Sequence, residues 1–92
     1  MLGIVTTKSY RNAFKRMSRS PKFDHARLET VVDTLASGET LSREFLDHRL
    51  SGDLTGFREC HVQNDLLLVY RIERERLILV LVELGSHANL FD

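Results

Sequence analysis

The chain has 92 residues, a size at which one compact core hides roughly 60 to 65% of the extended surface, so a single domain spanning residues 1–92 is expected. Apolar residues make up 42% and charged residues 28%, and no run approaches the ~20 apolar residues of a membrane span, which argues for a soluble globular domain. Net charge is zero, yet residues 1–30 hold seven Lys or Arg against Asp24 and Glu29, a bias that fits either an anionic partner at one surface or a solvated helix face. One cysteine, Cys60, allows no internal disulfide, and the start MLGIVTTKSYRNAF lacks the apolar run of a secretory signal, so a cytoplasmic protein is expected.

The opening Leu2, Ile4 and Val5 read as a first strand, with Thr6 or Thr7 able to cap a helix after it. From Lys8 to Arg19, Tyr10, Phe14 and Met17 recur at helical spacing, and Lys8, Arg11, Lys15 and Arg19 form a basic stripe within about a quarter of the helical wheel. Ser20-Pro21 punctuates the chain, and a second helix starts by Asp24, with Leu28, Val31, Val32 and Leu35 as its buried stripe and Gly38 as its C-terminal cap. Residues 39–53 read as an irregular connector. Three strands come next, at Phe57 to Val62, Leu66 to Ile72 and Leu77 to Leu84, separated by polar breaks short enough for hairpins. The expected fold is α+β, β-α-α-β-β-β, with the helix hairpin on one face of a mainly antiparallel sheet whose last two strands are central.

Chemistry concentrates in the second half, with His48 in the connector, His61 at a strand end, Asp65 just past it and His87 after the last strand. The turn joining two strands holds His61 and Asp65 near one another; convergence of His87 depends on strand order. Imidazole, with an unperturbed pKa near ~6.5, accepts or donates a proton at neutral pH, which suits cleavage of RNA through its 2′-hydroxyl. Three histidines and a carboxylate also make a sound zinc shell, but they lie thirteen and twenty-six residues apart and lack the close pair of compact sites, so no metal or other cofactor is expected. Strand alternation turns Cys60 away from His61 and makes it a buried thiol. His25 lies in the second helix and reads as a surface residue. Phe91 either docks on the core or offers a stacking face to a base.

The series Asp47-His48-x-Leu50-x-Gly52, Arg58-Glu59-Cys60-His61, Asp65-x-x-Leu68-x-Tyr70-Arg71 and Gly85-Ser86-His87-x-x-Leu90-Phe91 closely resembles YafQ-type toxins of the RelE/ParE superfamily. The resemblance covers the chain from about Leu41 to its end. It implies a RelE-like fold and a metal-independent endoribonuclease that cleaves mRNA in the ribosomal A site. It also implies a cognate antitoxin that binds the toxin in a hetero-oligomer. Position by position, His48, His61, Asp65 and His87 match the family's catalytic residues, with His87 the best candidate for the general acid and the base to be found among His48, His61 and Asp65, and Phe91 matches an aromatic near the scissile nucleotide.

Two positions depart from the pattern. Leu66 stands where relatives often have Trp, and Glu83 stands where an Arg is usual, which reverses the local charge available for holding RNA. Arg58 and Arg71 are the substitute cations near the site, and the stripe Lys8, Arg11, Lys15 and Arg19 is a surface for rRNA. Two other readings stand beside the nuclease: a ParE-type toxin acting on DNA gyrase, which has no need of clustered titratable groups, and a degenerate antitoxin-binding relative, which Glu83 favours.

Overall fold

The computed structural model describes residues 1–91, Phe91 by its backbone alone. A short strand β1 (Gly3–Thr6) leads into α1 (Lys8–Met17) and α2 (His25–Ala36), and strands β2 (His48–Arg49), β3 (Arg58–Gln63), β4 (Leu66–Glu73) and β5 (Ile78–Gly85) precede a last helix, α3 (His87–Phe91). The strands form one sheet in the order β1-β5-β4-β3-β2, with β1 parallel to β5 and every other pair antiparallel. The expected α+β fold, helix hairpin and central β4 and β5 are therefore present. The architecture adds β2 and α3. A two-residue strand is too short to show alternation, and α3 is little more than one turn.

Local chemistry explains the helix boundaries. Thr7 caps α1 by accepting from the Tyr10 N–H (3.0 Å), and its hydroxyl also donates to the Val82 carbonyl (2.6 Å), tying the start of α1 to β5. The helix ends at Met17, two residues before the expected Arg19, because the chain turns at Ser18 to Ser20 ahead of Pro21. Asp24 caps α2, and Gly38, at φ 80°, closes it: the Gly38 N–H reaches the Leu35 carbonyl and the Glu39 N–H the Thr34 carbonyl, the paired bonds of a left-handed cap.

Alternation along the strands divides the sheet into two faces. Cys60, Val62, Leu68, Tyr70, Leu79, Leu81 and Leu84 join Tyr10, Leu28, Val31 and Leu35 in the core beneath α1 and α2. Glu59, His61, Leu67, Val69, Arg71 and Val80 belong to the opposite face. At its β4–β5 side, Leu54, Phe57 and Leu90 enclose with Val69, Val82, Glu83 and Asn89 a cavity of about 240 Å³. Among the described residues, no helix is long and apolar enough to cross a membrane.

Candidate active site

The open face carries the polar groups. Glu59 and His61 lie two residues apart on β3 and share its outward side, while the β2–β3 register sets His48 directly opposite Glu59. Glu59 is buried at 5% exposure, whereas the His48 and His61 side chains are 50% and 35% exposed. Both imidazoles face one carboxylate oxygen: His48 Nε2 is 3.6 Å and His61 Nε2 3.5 Å from Glu59 Oε1. These are charge contacts, longer than hydrogen bonds. On the other side of its ring, His48 Nδ1 lies 2.7 Å from the Leu46 carbonyl, an acceptor only, so Nδ1 carries the proton. Nε2 is left facing Glu59. A carboxylate shared by two imidazoles accepts a proton in one step and stabilises cationic rings in the next.

Asp65 and His87 form a second pair. Asp65 occupies the β3–β4 turn at φ 55°, a left-handed conformation that Asp tolerates better than most residues, and its Oδ1 lies 3.4 Å from the backbone N of His87. His87 opens α3, which Ser86 caps by accepting from the Asn89 N–H at 3.2 Å. A Cβ on Gly85 would stand 3.3 Å from Leu90 Cδ2, so the missing side chain is what lets α3 fold back tightly against β5. The register aligns His61 with Leu67 and Leu67 with Gly85, which brings the end of β3, the β3–β4 turn and the end of β5 to one end of the sheet. Of the His48, Glu59 and His61 group, His61 lies nearest that end, while Glu59, opposite His48, pairs with Val69 nearer the middle of β4; Asp65 touches the start of α3 at the end itself. His61's acidic contact is thus Glu59, while Asp65 serves His87. The side chain of Phe91 lies outside the described residues.

Glu59 was not among the expected site residues, although the alternation that turns Cys60 away from His61 turns Glu59 to the same side as His61. The positively charged candidates are more dispersed. Arg58 turns to the helix-covered face, opposite Glu59, and binds Asp47. Arg71 lies on the open face with its guanidinium 5.5 Å from the Phe57 ring centroid, but it is paired with Glu73 at 2.8 Å. Lys8, Arg11 and Lys15 are exposed on α1 and Arg19 just beyond it, on the far side of the sheet from His48 and His61. Glu83 accepts from the Ser9 hydroxyl at 2.5 Å. It brings a carboxylate to the start of α1, whose first turn has no acid of its own. Leu66 is buried in the core beneath the helices, a packing position. Cys60 is also buried, and desolvation pushes its thiol up to about 12. Among the described residues, no group of three or more His, Cys, Asp or Glu is arranged to hold a metal ion.

The family model for the bacterial toxin of type II toxin-antitoxin systems, YafQ, matches residues 2–92. A curated YafQ toxin of Haemophilus influenzae is 38% identical over 42 residues, which span 46% of this chain and 41% of that protein. Among solved structures, a metal-bound toxin from Helicobacter pylori is 44% identical, with a TM-score of 0.91 over 99% of this chain and 100% of the other. The YafQ toxin in an Escherichia coli DinJ-YafQ toxin-antitoxin complex is 25% identical, with a TM-score of 0.82 over 99% and 98%.

Proposed function

Since the chain belongs to the YafQ family of type II toxins, we propose that it inhibits translation as a ribosome-dependent mRNA endoribonuclease, working by metal-independent acid/base chemistry. The observation that carries this reading is the buried Glu59 carboxylate between the His48 and His61 imidazoles on the open face of the sheet. Glu59 takes the proton of the attacking 2′-hydroxyl. His48, protonated at Nε2 as well as at Nδ1, and His61 hold, as imidazolium rings, the charge that develops on the phosphate oxygens. His87, oriented through the start of α3, protonates the departing 5′ oxygen. The phosphorus gains a bond to the 2′ oxygen and loses the one to the 5′ oxygen, leaving a 2′,3′-cyclic phosphate and a 5′-hydroxyl. Each proton transfer is worth ~10²–10⁴ in rate.

Its partner is a cognate antitoxin, in keeping with the DinJ-YafQ complex of the E. coli relative, and its working place is the cytoplasmic ribosome. The basic stripe Lys8, Arg11, Lys15 and Arg19 is the surface for rRNA. Glu83 does not argue for a degenerate, non-catalytic relative, because its carboxylate is engaged at α1. A toxin that only engages gyrase has no use for a carboxylate buried between two imidazoles. The test is to express the chain and His87→Ala in translating extract and map mRNA 5′ ends. New ends inside codons, lost in the mutant and unaffected by a chelator, are expected; identical patterns would refute the nuclease.

A further inference from the structure

Three residues of the motif blocks, Asp47, Arg58 and Tyr70, take no part in the chemistry above, yet the fold draws them together. The Tyr70 hydroxyl donates to Asp47 Oδ1 at 2.5 Å, and the Arg58 fork reaches both carboxylate oxygens, Nε to Oδ1 at 3.3 Å and Nη2 to Oδ2 at 3.2 Å. The Tyr70 ring is buried at 1% exposure within the helix-side core. The group is therefore anchored to the buried core, on the face opposite His48.

We propose that Asp47, Arg58 and Tyr70 form a positioning unit that holds His48 in the ring orientation and tautomer its role requires. The strand bearing His48 cannot do this alone. β2 is two residues at the sheet edge, both exposed, with no apolar side chain to bury. Pairing of that length is marginal in water. Its neighbour Arg58 also faces Arg49 across the β2–β3 register, a like-charge pair that Asp47 offsets.

The route from Asp47 to the ring is one residue long. Leu46 takes a left-handed φ of 50° after the 3-10 turn Arg43–Phe45, and its carbonyl receives the His48 Nδ1 proton. That bond spans Asp47 alone, so the dihedral angles of Asp47 decide whether it forms. Locking the Asp47 side chain on one face of the sheet thus sets the imidazole on the other, with Nδ1 protonated and Nε2 towards Glu59. Burial and Asp47 both push the Tyr70 phenol above its usual range, so it stays a donor, and Asp47 raises Arg58 likewise. The fork needs Arg; Lys offers no two parallel N–H groups.

The consequence for cleavage rests on the nuclease reading, but the tautomer is measurable without it. In long-range ¹⁵N spectra above the imidazole titration, the full chain is expected to show His48 as one Nδ1-protonated form. Tyr70→Phe, which removes only a hydroxyl, and Asp47→Asn are expected to give a tautomer mixture at His48, with the His61 ring and the Leu68 and Leu79 methyl signals unmoved. Cleavage should fall on the order of ten- to a hundredfold in kcat with little change in KM, the cost of a misplaced group. A His48 tautomer unchanged in folded Tyr70→Phe overturns the proposal, whether or not Asp47→Asn folds. A changed tautomer in a chain that never cleaves RNA upholds the positioning unit and removes the nuclease.

Discussion

The two faces of β3 and β4 differ by one residue of register and by almost everything else. Under the helices, Cys60, Val62 and Leu68 are closed to solvent, and even the polar Arg58 and Tyr70 are tied to Asp47. On the open face, Glu59 and His61 alternate with them and stay within reach of a ligand. A period of two thus lets neighbouring residues of one strand serve stability and chemistry separately. The contrast teaches that consecutive substitutions in 58–61 and 67–70 should fail in different ways.

The largest effect tests that division at its sharpest point. Glu59→Gln keeps the shape and burial of the side chain but removes the proton acceptor, so cleavage is expected to fall by ~10²–10⁴ with the melting curve little changed. Leu68→Ala leaves the open face untouched and empties part of the core, costing about 2–5 kcal/mol of stability while the folded fraction keeps its cleavage rate per molecule. Thermal unfolding and single-turnover cleavage on both variants separate the cases. Equal loss of stability in the two would erase the distinction between faces.

Alkaline titration sharpens it from the other side. Burial pushes the Cys60 thiol up to about 12 and raises the Tyr10 and Tyr70 phenols, and all three groups are on the helix-covered face. A raised acid keeps its proton in the folded chain after the unfolded chain has lost it, starting near ~8.5 for the thiol and ~10 for the phenols. Their contribution is complete below those values and declines as pH rises above them, the thiol's being lost as pH approaches 12, with each group adding a slope of about 1.4 kcal/mol per pH unit within its window. Denaturant unfolding from pH 8 to 10 should show the decline, and Cys60→Ala should flatten its first part. A wild-type stability that is level across that range would mean the thiol is not protected by burial.

The helix-side face was the readable half. Tyr10, Phe14, Leu28, Val31 and Leu35 announce the helices by spacing, and the apolar runs of β4 and β5 announce central strands, because burial repeats over many residues. The candidate site was readable only in pieces. His48, His61, Asp65 and His87 stand out as residue types, but their grouping depends on strand order, on a bulge between His61 and Gln63, and on two elements too short to leave a pattern, β2 and α3. Glu59 was hidden among the other acids, although its alternation with Cys60 placed it. The Asp47 to Tyr70 contact, twenty-three residues apart, has no local signature at all.

Glu83 crosses the line between the faces and gives the smallest effect. It pairs with Val69 on the open face and lines the cavity there, yet its carboxylate accepts from Ser9 at the start of α1, where a negative charge is worth about 0.3–1 kcal/mol. Val69 also pairs with Glu59, so Glu83 stands two strand spacings from the site, roughly 10 Å. Glu83→Arg should therefore trade one function for the other. It places a cation against the α1 dipole and should lower the melting temperature by a few degrees, given that about 1 kcal/mol shifts a domain of this size by ~4–8 °C. The same change adds a phosphate partner beside the cavity, so RNA binding should tighten and its salt dependence steepen by about one counterion. Unfolding curves and RNA titrations at two salt concentrations measure both arms. Tighter binding with no loss of stability would show that the Ser9 contact contributes nothing, and that this residue belongs to the open face alone.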